Sequence, residues 1–242
     1  MENVPVLLHV AFGLTTGLTV WLFCRATPLS GLGMLALLGW VLGLGAVALT
    51  GFFTETQTLP PRLALVLGPP LLAMLLLPAT ARGCRWLAQL RPEYLMLLHV
   101  VRVPVELVLF GLALHGAVPQ LMTFEGRNWD ILTGLTAPVM YYLVFRRQVL
   151  GSRALLAWNL AGLALLANIV VQAVLSVPSP VQRLAFEQPN VAVLYFPFVW
   201  LPGCVVPLAL LAHLANIWQL LAPQRSLQIR SKPTDYASSR TS

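Results

Sequence analysis

Seven apolar runs, each close to the ~20 residues that a helix needs to cross the hydrocarbon of a bilayer, take up most of this chain. They lie at about 5–24, 31–53, 62–80, 94–117, 130–146, 154–175 and 194–221. The breaks between them are polar or rich in turn residues, such as Thr27-Pro28, Thr54 to Pro61, Arg82 to Pro92, Thr123 to Asn128, Gly151-Ser152 and Ser176 to Pro189. A chain cut in this way is expected to be an all-α integral membrane bundle of seven transmembrane helices in one domain, residues 1–222. Residues 223–242 turn polar and are expected to form a short disordered cytoplasmic tail. Only 10% of the residues are charged, against roughly a quarter in soluble domains.

Basic residues test this cut, because cytoplasmic loops collect Lys and Arg. Arg25 follows the first run; Arg82, Arg85 and Arg91 the third; Arg146, Arg147 and Arg153 the fifth; Arg225, Arg230, Lys232 and Arg240 the seventh. The alternate loops hold Arg62, Arg127 and Arg183, so the balance is eleven against three with Arg102 left inside a span. This alternation predicts the N-terminus outside and the C-terminus inside. It also explains the net charge of +7 without nucleic acid, whose binding needs basic residues clustered on one soluble face. The first run follows Glu2 rather than a basic segment and reads as an uncleaved span.

The fourth run holds LMLLHVVRVPVELVLF, Leu95 to Phe110. At helical spacing His99, Arg102 and Glu106 share one face, which must look into the bundle because an unpaired arginine at mid-bilayer costs at least ~2.5–3.5 kcal/mol. Arg102 and Glu106 stand one turn apart, within reach of each other, and Pro104 should kink the helix by removing a donor from the carbonyl of Val100. Two readings are open: a polar site that binds or translocates a small solute or proton, or an internal ion pair that locks packing. Pro69, Pro70 and Pro202 are expected to break the third and seventh spans, as in transporters that present unpaired backbone to a solute. The arrangement of two triplets around a central span resembles the topology of the SWEET sugar transporters. The Pro-Gln pair Pro119-Gln120, at the outer end of the fourth run, lies outside the helices where that family carries its motif.

Asn168 and Gln172 share a helical face, as do His213 and Asn216, and are expected to hydrogen-bond between helices. The Gly13-xxx-Gly17 and Gly39-xxx-Gly43 pairs are expected to let helices approach closely. Four histidines admit a haem alternative by depth, His9 with His115 and His99 with His213, in a membrane electron carrier. No cofactor is otherwise expected, and the spacing of Cys24, Cys84 and Cys204 indicates neither a disulfide framework nor a metal site. The single lysine, Lys232, lies in the tail, which excludes a retinal Schiff base in the last span. No HExxH, GxSxG or P-loop pattern marks an enzyme. A third alternative is a non-catalytic subunit or sensor that meets a partner through its loops or tail.

The most distinctive loop is TFEGRNWDILTGLTAP, Thr123 to Pro138, in which Asp130 is expected to cap the fifth span and leave Glu125 and Arg127 for the surface. Together with the upstream Arg102-x-Pro104-x-Glu106, this stretch resembles an uncharacterised family of small bacterial multi-pass membrane proteins. The resemblance covers about Arg102 to Pro138 and implies no activity. The expected location is the cytoplasmic membrane of a bacterium.

Overall fold

The computed structural model describes residues 3–222, and the expectation for the tail, with Arg225, Arg230, Lys232 and Arg240, falls outside them. Among the described residues the fold is all-helical, without strands. Helix α1 (Val6–Ala26) ends where Thr27, ahead of Pro28, turns extended. Helix α2 (Gly31–Leu49) is capped by Ser30, whose Oγ accepts from Gly33 N at 3.1 Å. Then follow α3 (Ala64–Leu76), α4 (Ala81–Leu87), α5 (Pro92–Leu98), α6 (Arg102–Leu114), α7 (Ile131–Tyr141), α8 (Ser152–Ser176) and α9 (Val206–Leu221).

Five helical stretches are long and apolar enough to cross a membrane: Val6–Ala26, Gly31–Leu49, Pro92–Leu114, Ser152–Ser176 and Leu201–Leu221. They mark the chain as an integral membrane protein. The third apolar run is bent: α3 and α4 meet at 96°. The expected interruption at Pro69 and Pro70 is not where the bend falls. Both prolines sit inside α3, since a proline's fixed φ suits a helix even as it removes a donor, and the chain turns instead between Leu77 and Thr80. Thr80 then caps α4, accepting from Gly83 N at 3.0 Å, so a helix stands where a loop was expected. The fifth run, Ile131–Arg146, is a shorter apolar helix whose last turn, Tyr142–Arg146, widens to π geometry.

Pro104 acts as expected on its neighbourhood but not as a sharp kink. The turn before it, His99–Val101, tightens to 3₁₀ geometry and joins α5 to α6 in one continuous span. Pro202 does not break the seventh span as expected: it stands in the first turn, where a missing N–H costs nothing, of a π segment, Leu201–Val205, that leads into α9 in one continuous span. Four residues beyond Gly203 stands Pro207, which has no N–H to give to the Gly203 carbonyl. Trp40 Nε1 of α2 donates to that carbonyl instead (2.8 Å), and Trp200 Nε1 donates back to Val41 O (2.8 Å). Trp40→Phe therefore leaves a carbonyl without a donor inside the bundle and is expected to cost about 1–2 kcal/mol in unfolding from detergent micelles.

The glycine pairs of α1 and α2 do not mediate close packing. A side-chain carbon at Gly13, Gly17, Gly39 or Gly43 would meet nothing within 4 Å, because these faces point away from the bundle. The packed stripe of α1 carries Thr15, Thr16 and Thr19 instead, each hydroxyl donating to the carbonyl four residues back at 2.8 to 3.0 Å. At one end of the bundle the segment after α8 hydrogen-bonds the last turn of α6 and the chain beyond it, through Gln188 Nε2 to Ala113 O (2.9 Å) and Val191 N to Ala117 O (3.1 Å). At the other end Gln219 Nε2 donates to Leu87 O (2.7 Å) and Arg91 N to Ala26 O (2.9 Å).

Candidate functional site

His99, Arg102 and Glu106 face the interior, as their shared helical face predicts; Arg102 is 4% and Glu106 2% exposed. Their partners are not the expected ones. Arg102 Nη1 donates to Asp130 Oδ1 rather than to Glu106, in a buried salt bridge. Asp130 stands at the start of α7 but makes no side-chain cap; its carboxylate turns inward, because a buried guanidinium demands a matching charge more than a helix end demands a cap. The approach is made possible by Gly134. A side-chain carbon there would fall 2.9 Å from Val103 Cγ2 and 3.0 Å from Val103 N, so only glycine lets α7 lie this close to α6. Asp130 precedes Gly134 by one turn and shares its face, which carries the carboxylate to Arg102.

Glu106 is held by Asn128, a residue that the reading of the sequence passed over. Asn128 Nδ2 donates to Glu106 Oε1 and to Met122 O (3.0 Å), while its Oδ1 accepts from Asp130 N (3.1 Å). The segment between α6 and α7 thus dips into the bundle and supplies a partner to each charged group of α6. The inward segment is held from behind by α8. Asn168 Nδ2 donates to Arg127 O (2.9 Å), and Gln172 Nε2 donates to Asn168 Oδ1 (3.0 Å). These amides do tie one element to another, as expected, but their partner is loop backbone.

A second buried cluster lies beyond Arg102. Arg102 Nη1 reaches Gly162 O of α8 at 3.5 Å, and a side-chain carbon at Gly162 would fall 2.6 Å from His213 Cε1 and 2.8 Å from His213 Nε2. Asn159 Nδ2 donates to Leu155 O (2.9 Å), so its Oδ1 faces His213 Nδ1 (2.9 Å), which must carry the proton. The His213 ring stacks on His99 with centroids 3.9 Å apart, and Trp158 closes the cluster at 5.4 Å from His99. Two imidazoles stacked ring on ring leave no space for a macrocycle between them, so His99 and His213 are not arranged as axial ligands of one haem. His9 and His115 each turn a nitrogen to the carbonyl four residues back, Pro5 O and Gly111 O. Asn216 is buried with neither side-chain atom partnered. Among the described residues no group of three or more His, Cys, Asp or Glu side chains is placed to hold a metal ion.

Arg102 and Glu106 differ in one respect that bears on function. A cavity of about 70 Å³ is lined by Glu106, Asp130 and Asn190 and otherwise by apolar side chains, many of them from α6 and α8. Arg102 is not part of its wall. The cavity lies beside Leu63, Leu67, Val174 and Val177, and the same four residues line a wider space of about 240 Å³ that reaches Glu55 and Arg62 at the end of the bundle. Pro202, expected to break a helix near a site, lines the cavity as well. Glu106 Oε2 has no hydrogen-bond partner, and neither has Oδ1 of Asn190, a fully buried residue in the same wall.

The fold and site define a helical integral membrane protein with a charged pair and a carboxylate-lined cavity inside its bundle. Residues 60–221 match the model of Domain of unknown function (DUF8737), and the chain belongs to that family. The match is wider than the stretch from Arg102 to Pro138 that carries the resemblance seen in the sequence, and it supplies no activity. No curated protein and no solved structure matches the chain.

Proposed function

We propose that the chain binds a small solute at Glu106 and carries it, or a proton, across the cytoplasmic membrane of a bacterium. One observation carries this reading: Glu106, a buried carboxylate in the middle of a span, lines a cavity with one oxygen free. Intramembrane acids that face a cavity are the usual carriers of protons and cations in transporters, whereas an acid kept only for packing is expected to be saturated by partners. Arg102 has the other role. Its pairing with Asp130 in a buried salt bridge, away from the cavity wall on the Arg102 side, supports the internal-lock reading for that residue.

The orientation belongs to the same proposal. Seven crossings, counting the bent α3–α4 pair and the short Ile131–Arg146 helix, agree with the eleven-to-three distribution of Lys and Arg, which sets the N-terminus outside. The wider space by Glu55 and Arg62 then opens to the outside, on the path to Glu106.

Proteoliposomes loaded with a pH-sensitive dye and offered a panel of small solutes test the reading. Wild type is expected to show flux that falls about tenfold or more in Glu106→Gln, a change that keeps the hydrogen bond from Asn128 but removes the proton carrier. Absence of flux from correctly inserted wild type, for protons and for every solute tried, would sink transport.

A further inference from the structure

We infer that the occupant of the Glu106 cavity is an amphipathic amine, a slim apolar molecule ending in an ammonium with N–H donors. The inference rests on the reading of Glu106 as a binding site and names the chemistry of what binds. The polar atoms left over in the cavity wall are acceptors: Glu106 Oε2 and Asn190 Oδ1, both on buried residues. The Asn190 amide nitrogen donates to Ala173 O at 3.4 Å, and its oxygen has no partner. A ligand satisfies two acceptors by donating to both.

Charge points the same way. Arg102 is matched by Asp130, so the carboxylate of Glu106 has only the neutral amide of Asn128 beside it and no cation of its own. Nε and Nη2 of Arg102 are unpartnered, but Arg102 does not line the cavity, so an anion entering it would meet two carboxylates first. The remaining wall, Leu63, Leu67, Val105, Leu109, Ile169 and Leu201 among it, offers hydrocarbon to an apolar body. The cavity at Glu106 and the wider space beyond it share Leu63, Leu67, Val174 and Val177, so an apolar body can extend from one into the other.

Calorimetric titration of the detergent-solubilised full chain, corrected for empty micelles, distinguishes the alternatives with four probes of equal chain length. Hexylamine carries charge and donors, hexyltrimethylammonium charge without donors, hexanol a donor without charge, and hexanoate the opposite charge. Hexylamine is expected to bind most tightly, by about tenfold or more over each of the others, as suits charge-assisted hydrogen bonds to a desolvated carboxylate. Glu106→Gln should weaken hexylamine about ten- to a hundredfold and hexanol by much less, since only the ammonium loses a charge partner, and Asn190→Ala should weaken hexylamine about three- to tenfold. Phosphatidylethanolamine retained by wild type and lost from Glu106→Gln would assign the same ammonium chemistry to a lipid headgroup. Hexanoate, hexanol or hexyltrimethylammonium binding as tightly as hexylamine overturns the amine assignment and leaves the site standing. Failure of all four to bind overturns the amine and the site together.

Discussion

Asp130→Ala is expected to destabilise the protein by about 3–5 kcal/mol, the cost of leaving a buried charge without its partner. The guanidinium of Arg102 would remain in the bundle with a backbone carbonyl, Gly162 O at 3.5 Å, as its nearest remaining acceptor. Glu106, one turn along α6, is engaged by Asn128 and is not positioned to replace the lost carboxylate without breaking that bond. The double variant Arg102→Met, Asp130→Leu removes both charges and keeps most of the volume, and should recover most of the lost stability, since apolar replacements of buried pairs are often neutral or better. Unfolding in mixed micelles followed by circular dichroism measures both. A loss below about 1 kcal/mol in the single variant, or a double variant as weak as the single one, would contradict a buried, matched pair.

Asn128→Leu should be nearly as damaging, at about 3 kcal/mol or more, because one side chain serves three groups. Its loss strands Glu106 Oε1, Met122 O and Asp130 N, all inside the bundle, and each buried group left without a partner costs about 1–3 kcal/mol when counted alone. Asn128→Asp is no remedy, for it sets a second carboxylate against Glu106. Release of the segment is expected to show in proteolysis as well. Arg127 precedes Asn128, and its carbonyl is held by Asn168, so trypsin should cut after Arg127 much faster in the variant than in wild type. Equal cleavage and an unchanged melting profile would mean that the inward dip of the segment does not depend on Asn128.

Much of this architecture is legible in the residues, and the failures have physical causes. Apolar length alone places α1, α2, the α5–α6 span, α8 and α9, and helical spacing puts His99, Arg102 and Glu106 on one buried face. What spacing does not show is which charge meets which. Arg102 and Glu106 are neighbours on their own helix, but the closer contact comes from another one, brought in by a glycine whose importance depends on Val103 opposite. Asp130 reads as a helix cap because it begins an apolar run, although it is also, after Glu106, the acid that reaches furthest into one. Asn128 carries no such signal, since an amide in a loop is ordinary until the loop is known to fold inward. The prolines misled in the opposite direction: Pro69 and Pro70 continue a helix, while the 96° bend falls at Leu77 to Thr80.

Glu106 and Asp130 both line the cavity but differ in their partners: one Glu106 oxygen has no hydrogen bond, whereas the Asp130 carboxylate is tied to the guanidinium of Arg102. Dicyclohexylcarbodiimide, an apolar reagent that attacks protonated carboxyls within membranes, reads this difference directly when the adducts are located by peptide mass spectrometry. Modification at Glu106, absent at Asp130 and suppressed by hexylamine, is the predicted result. An unmodified Glu106, or equal modification of Asp130, would contradict it.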